Sequence, residues 1–136
     1  MTGGEGLKRR NMEIILNAQI KSTKFGFTHH SCLTFEVNFE HQKGCQSIGD
    51  YCIGHGGTYY DKEKYITGSK KGTEAMARIM WAVGVESWEK LKDSYCRVKF
   101  DEETERLTSI GHIVNNNWFN LVEYMKKDME EPEKGD

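Results

Sequence analysis

Between residues 70 and 100 (KKGTEAMARIMWAVGVESWEKLKDSYCRVKF) the chain switches from a helical hydrophobic period to that of a strand. Ala75, Met76, Ile79, Met80 and Val83 form one apolar stripe, so the predicted helix needs a surface to cover. Gly84 ends it, in keeping with the preference for glycine just past a helix C-terminus. Ser87 is placed to cap a further helical turn, with Trp88 and Leu91 on one face. From residue 95 the pattern alternates, with Cys96, Val98 and Phe100 inward and Tyr95, Arg97 and Lys99 outward. A helix followed so closely by a half-buried strand calls for a layered α+β arrangement.

The remaining segments supply the sheet. Residues 12–20 alternate, with Ile14, Leu16, Ala18 and Ile20 on one face. Residues 21–31 read as an exposed connection. Residues 32–40 are the cleanest strand, with Leu33, Phe35, Val37 and Phe39 facing in. A hairpin at 41–44 leads to a third strand near 45–53, and GHGGTYYDKEKYITGS then reads as a long loop. Residues 101–105 are an acidic turn, 106–114 a last strand, and NNNWFN a turn. Residues 1–11 read as a disordered leader and 123–136 as a charged, fraying tail, leaving one α+β domain over 12–122. The expected architecture is an antiparallel sheet of about five strands on one main helix plus a short helical turn.

Several function classes are disfavoured. The 19 basic and 21 acidic residues leave a net charge of −2, so no global field draws polymeric nucleic acid. No apolar run approaches the roughly 20 residues that span a bilayer. The N-terminus lacks the apolar stretch of a secretory signal, so a cytoplasmic protein is expected. Cys32, Cys45, Cys52 and Cys96 are irregularly spaced, and 136 residues can build a core without staples, so four reduced thiols are expected. The histidines are scattered. His29 and His30 would point apart on a strand, and a metal site would require long-range convergence. No nucleophile elbow, phosphate loop or dinucleotide fingerprint is present. Glu36 and Glu40 lie on an outward face, and the i,i+3 spacing of Cys52 and His55 is no catalytic signature. The chain reads as a binder without catalytic residues, cofactor or metal.

Its candidate contacts are cationic and aromatic. Lys70 and Lys71 begin a helix, where the dipole disfavours cations, so an anion could belong there; they could equally be solvated. Gly72 follows them. Tyr59, Tyr60 and Tyr65 interleave with Lys62 and Lys64, as base stacking and phosphate neutralisation require, although tyrosines also anchor loops. Arg97, near Lys90, offers a charged fork to a pyrophosphate or pairs with Asp93 or Glu102. Because Arg97 faces outward, its loss is expected to cost binding and leave folding intact. Trp88 either stacks a base or fills the core. Asn115 and Asn117 offer hydrogen bonds to a ribose or form a turn. Trp118 and Phe119 close the core or bury a dimer interface, and His112 lies on the last predicted strand. The candidate ligand-binding set is Lys70, Lys71, Gly72, Trp88, Lys90, Arg97, His112, Asn115, Asn117 and Trp118.

The order IKSTKFGFTHHSCLTFEV, IGDYCIG, GTEAMARIMWAVGVESWEKLKDSYCRVKF and IGHIVNNNWF resembles the first-described Thoeris anti-defence family of phage proteins. The resemblance spans about residues 20–119 and is most specific at GVESWEKL, YCRV and IGHI…WF. Where the family pattern has FGGY, this chain has Ile48-Gly49-Asp50-Tyr51. The resemblance implies a protein of the infected host's cytoplasm that sequesters glycocyclic ADP-ribose at dimer interfaces without cleaving it. It also implies dimers assembled to a hexamer and, in some members, separate sites for CBASS cyclic trinucleotides. Two other classes stay open: an anti-CRISPR-like inhibitor that masks a host defence protein, and a small nucleotide hydrolase.

Overall fold

The computed structural model describes residues 13–28, 31–56 and 66–130, the last four as backbone only. Its centre is β1 (Glu13–Phe27), long enough to serve two neighbours in succession. The first half pairs with β6 (Tyr95–Asp101), in the register Ile14↔Phe100, Leu16↔Val98 and Ala18↔Cys96. The second half pairs with β2 (Cys32–His41), ending at Phe25↔Phe35 and Phe27↔Leu33. At the handover the register shifts between Ile20 and Ser22. There the Ile20 N–H donates to Ser94 O at 2.9 Å, and the Asp93 N–H donates to Ile20 O at 2.7 Å.

One extra residue at such a bulge moves the inward phase from even to odd positions. Ile20 faces the core opposite Phe39, but beyond it Thr23, Phe25 and Phe27 align with Val37, Phe35 and Leu33. The connection expected at 21–31 is therefore corrected in part: β1 continues to Phe27, although residues 21–27 are exposed or half-buried as expected, and the phase slip hides the strand from a simple alternation test.

The third predicted strand also divides. Gly49 and Asp50 both have positive φ, 119° and 71°. A Cβ on Gly49 would lie 2.5 Å from Phe35 O, so glycine is required where the chain turns against β2. β3 (Gly44–Gly49) pairs with the second half of β2, and β4 (Gly54–Gly56) with its start. β4 also pairs with β5 (Ile66–Gly68), so the ends of the predicted long loop are a narrow ribbon. Tyr59, Tyr60, Tyr65, Lys62 and Lys64 lie outside the described residues, as do His29, His30, the predicted leader and residues 131–136. The other edge adds β7 (Leu107–Gly111) and β8 (Trp118–Asn120), the latter formed from what was expected to be only a turn. All pairings are antiparallel, in the order β5-β4-β2-β1-β6-β7-β8 with β3 beside β2. Eight strands thus replace the expected five among the described residues. The sheet curls, so that Gln46 Nε2 at one margin donates to Glu105 O near the other at 3.0 Å.

The helices cover one face. α1 (Lys70–Val83) ends at Gly84 as the sequence anticipates, with φ 97°, and its start is capped by Ser69, whose Oγ accepts from the Gly72 N–H at 2.8 Å. Ala75, Ile79, Ala82 and Val83 are buried. A Cβ on Gly72 would fall 2.3 Å from Ile53 Cβ, so this glycine sets how closely the helix approaches. Trp88–Leu91 is a single 3-10 turn, and Ser87 makes no side-chain cap to it.

The described part of the expected fraying tail, residues 123–130, belongs to α2 (Leu121–Glu130). Asn120 Oδ1 accepts from the Glu123 N–H at 2.9 Å, while Leu121 and Met125 enter the core. The Tyr124 hydroxyl donates to Glu74 on α1 at 2.8 Å; desolvation, then that bond, push the phenol pKa up. The apolar stripe is only Leu121, Tyr124 and Met125 among charges, too short to stand out from sequence. Among the described residues no helix is long and apolar enough to cross a membrane.

The thiol expectation is corrected as well: Cys32 and Cys52 are joined as a disulfide, while Cys45 and Cys96 are free. Their 20-residue separation gave no warning, because strand pairing sets the 5.3 Å Cα distance. Such a loop corresponds to about 3 kcal/mol of unfolded-state restriction in a chain-entropy account. Burial pushes the Cys96 thiol pKa up to about 12, so it stays protonated.

If α2 is part of the core, Leu121→Ala should lower stability by about 2–5 kcal/mol, the range for a large-to-small change at a filled site. Urea unfolding followed by tryptophan fluorescence reads this directly. A change below 1 kcal/mol would show that the helix does not support the domain.

Candidate functional site

The uncovered face of β1, β6, β7 and β8 gathers half of the predicted contacts. In-register pairing puts Arg97 beside Gly111, and Gly111 beside Trp118. Gly111 lets the indole lie flat: a Cβ there would be 2.6 Å from Trp118 Cδ2 and Cε3. Over the ring stand the Arg97 guanidinium, 5.0 Å from its centroid, and Lys99 Nζ at 4.4 Å. Lys99 also lies 3.9 Å from the Glu13 carboxylate. Exposed Ile15 and Tyr95 extend the same outward face.

Arg97 also holds the hairpin between β7 and β8. Its Nε donates to His112 O and one Nη to Asn115 O, both at 2.8 Å. The His112 ring adds a second clasp, with Nδ1 accepting the Val114 and Asn115 N–H groups, each at 3.0 Å. The His112 N–H donates to Asn117 O at 3.0 Å. Arg97, His112, Asn115, Asn117 and Trp118 thus form one cluster. The expectation that Arg97 is dispensable for folding is revised, because outward placement did not show that two carbonyls depend on it. The remaining guanidinium N–H groups and Lys99 can still receive an anion beside an aromatic plane.

The other predicted contacts lie elsewhere. His112 packs where a Cβ on Gly84 would sit, 3.0 Å from His112 Cδ2 at the end of α1. Lys70, Lys71 and Gly72 occupy the opposite end of that helix, roughly 20 Å away. Lys71 Nζ stands 4.4 Å from the Tyr124 ring centroid, and Lys70 is exposed. Gly72 is buried against Ile53, a packing role. Trp88 meets Phe35 edge-on at 5.8 Å, and its buried Nε1 has no hydrogen-bond partner among the described residues. Lys90, two residues on, is exposed. Within one chain the predicted set therefore separates into three places.

Sequence reasoning missed Lys99 and Gly111 as members of the cluster. Alternation put Lys99 on the same face as Arg97, a usable signal. The role of Gly111 becomes visible only when β8 is known to pair with β7. A second concavity, about 230 Å³, opens between β3, β7 and α2, lined by Ile48, Tyr51, Arg106, Leu107 and Val122 among others.

In comparison with known proteins, no family model, no curated protein and no solved structure matches the chain.

Arg97→Ala should loosen the hairpin and cost about 1.5–3 kcal/mol, the scale for hydrogen bonds from a charged donor. Arg97→Lys should recover little of it, since one ammonium cannot reproduce the planar fork. Amide exchange over residues 112–117 checks this; protection equal to the parent's in Arg97→Ala would exclude the clasp.

Proposed function

We propose that this protein sequesters a cyclic ADP-ribose-type signalling nucleotide without degrading it. The nucleotide in this reading is glycocyclic ADP-ribose, made by TIR enzymes of the Thoeris system, and the protein is a phage anti-defence sponge acting in the host cytoplasm. The observation that carries the reading is the Arg97–Lys99–Trp118 cluster. A pyrophosphate needs closely spaced, fixed cationic donors, and a nucleobase needs an aromatic plane. The resemblance at GVESWEKL, YCRV and IGHI…WF supplies the particular ligand class.

Assembly belongs to the same proposal. Lys70 and Lys71 lie too far from Arg97 to hold one small ligand within a subunit, so a pocket using both draws on two copies. Exposed Phe25, Trp81 and Tyr95 are large apolar surfaces that a homodimer, or dimers assembled to a hexamer, would cover. Cyclic trinucleotides of CBASS would take a separate site.

Incubation with the product of an activated TIR enzyme, then size exclusion with light scattering, should show ligand co-eluting with a dimer or its multiple. Heat denaturation should return the ligand at unchanged mass. Recovery of hydrolysed ligand would establish an enzyme, and recovery of no small molecule would favour a protein-masking inhibitor.

Trp118→Ala should weaken ligand binding by about 5- to 150-fold, matching roughly 1–3 kcal/mol for a stacked base. Trp118→Phe should retain more of the affinity. Calorimetric titration of both variants tests this, and equal affinity of Trp118→Ala and parent would move the site off this face.

A further inference from the structure

At the opposite margin of the sheet, three soft donors converge that the nucleotide reading does not use. Cys32 begins β2, and its register partner on β4 is His55, so both project from the same face of the sheet. Cys52 lies just before β4. Its Sγ is 3.3 Å from Gly54 O and 3.8 Å from His55 Nε2. The two sulfurs and the imidazole donor lie within 4.8 Å of one another. Among the described residues, the Cys52 sulfur is the only polar partner of the His55 ring. Cys52 and His55 are exposed and Cys32 is half-buried, so an ion can enter from solvent.

We infer that Cys32, Cys52 and His55 form a redox-gated site for a divalent zinc-class cation. Zinc takes thiolate sulfur at about 2.3 Å and imidazole nitrogen at about 2.0–2.1 Å. A tetrahedron with those arms has S···S edges of about 3.8 Å and S···N edges of about 3.6 Å. The observed Cys52–His55 separation meets the second requirement without rearrangement. Opening the disulfide lets the sulfurs part to the first. Three protein ligands leave the fourth position to solvent.

The gate is chemical. While Cys32 and Cys52 share a bond, neither sulfur is a thiolate and the cation has no site. A dithiol reductant delivers two electrons and two protons to that bond and is itself oxidised to a disulfide. The two new thiols then release their protons to water as the cation binds. In the reduced state the metal replaces the covalent link as the bridge between β2 and the segment entering β4.

Cobalt(II) is the probe, used with full-length protein carrying Cys45→Ser so that the exposed free thiol does not compete. After dithiol reduction and anaerobic desalting, one equivalent of cobalt should produce the visible bands of a tetrahedral thiolate complex. Zinc should displace it. The oxidised protein and a Cys52→Ser variant should show no such bands. His55→Ala should weaken the site by more than the roughly 10- to 100-fold typical of losing a supporting group around a metal. Absence of the bands in the reduced Cys45→Ser protein would overturn the proposal, and that result does not depend on the Cys52 or His55 variants folding. Equal cobalt affinity in His55→Ala and the parent would overturn it too.

Discussion

The hydrogen-bonding capacity of β1 is the constraint on which the rest of the structure depends. This strand shares its first half with β6 and its second with β2, so it joins the two wings of the sheet. The handover needs the shift near Ile20, where the chain between the 3-10 turn and β6 bonds to Ile20 through Asp93 and Ser94. That local exchange turns Phe25 and Phe27 to the side of the sheet that Phe35 and Leu33 share, where both stay exposed. It also places the 3-10 turn, and with it buried Leu91, under the same face as α1. An extra residue in one strand thereby decides how two layers meet.

On the outward face, the residues that hold the hairpin are also those of the candidate site. Arg97 spends two donors on the hairpin carbonyls and presents its plane to Trp118. Trp118 can lie beneath it because Gly111 has no side chain. A constellation held this way is preorganised: its side chains have little freedom left to lose. The same economy makes the cluster sensitive to changes outside its charged groups, such as any side chain added at residue 111.

The two margins of the sheet differ in what joins them. Near β3, neutral hydrogen bonds and the stacked pair His41–Phe100, at 5.8 Å, hold the curl. At β4 the join is Cys32–Cys52, a bond whose existence depends on the surroundings. The buried Cys96 is insulated from such chemistry, since desolvation keeps its thiol protonated. Four cysteines of one chain thus fall into three environments, which burial and pairing decide and spacing along the chain does not.

Local pattern determined much by itself. The α1 stripe, its Gly84 boundary, the core of β2 and the outward placement of Arg97 and Lys99 all follow from period and capping, because those depend on neighbours within a few residues. The α+β class follows from the same signals. Features set by distant partners were not legible in that way. The continuation of β1 past Ile20 needs Asp93 and Ser94. The helix at residues 121–130 needs a core to receive Leu121 and Met125. The clustering of Arg97 with Trp118 needs β8 to pair with β7, and the separation of Lys70 and Lys71 from that cluster needs the length of α1. Cys32, Cys52 and His55 meet only because two strands choose each other. Periodicity reports which way a side chain faces; tertiary pairing alone decides what it faces.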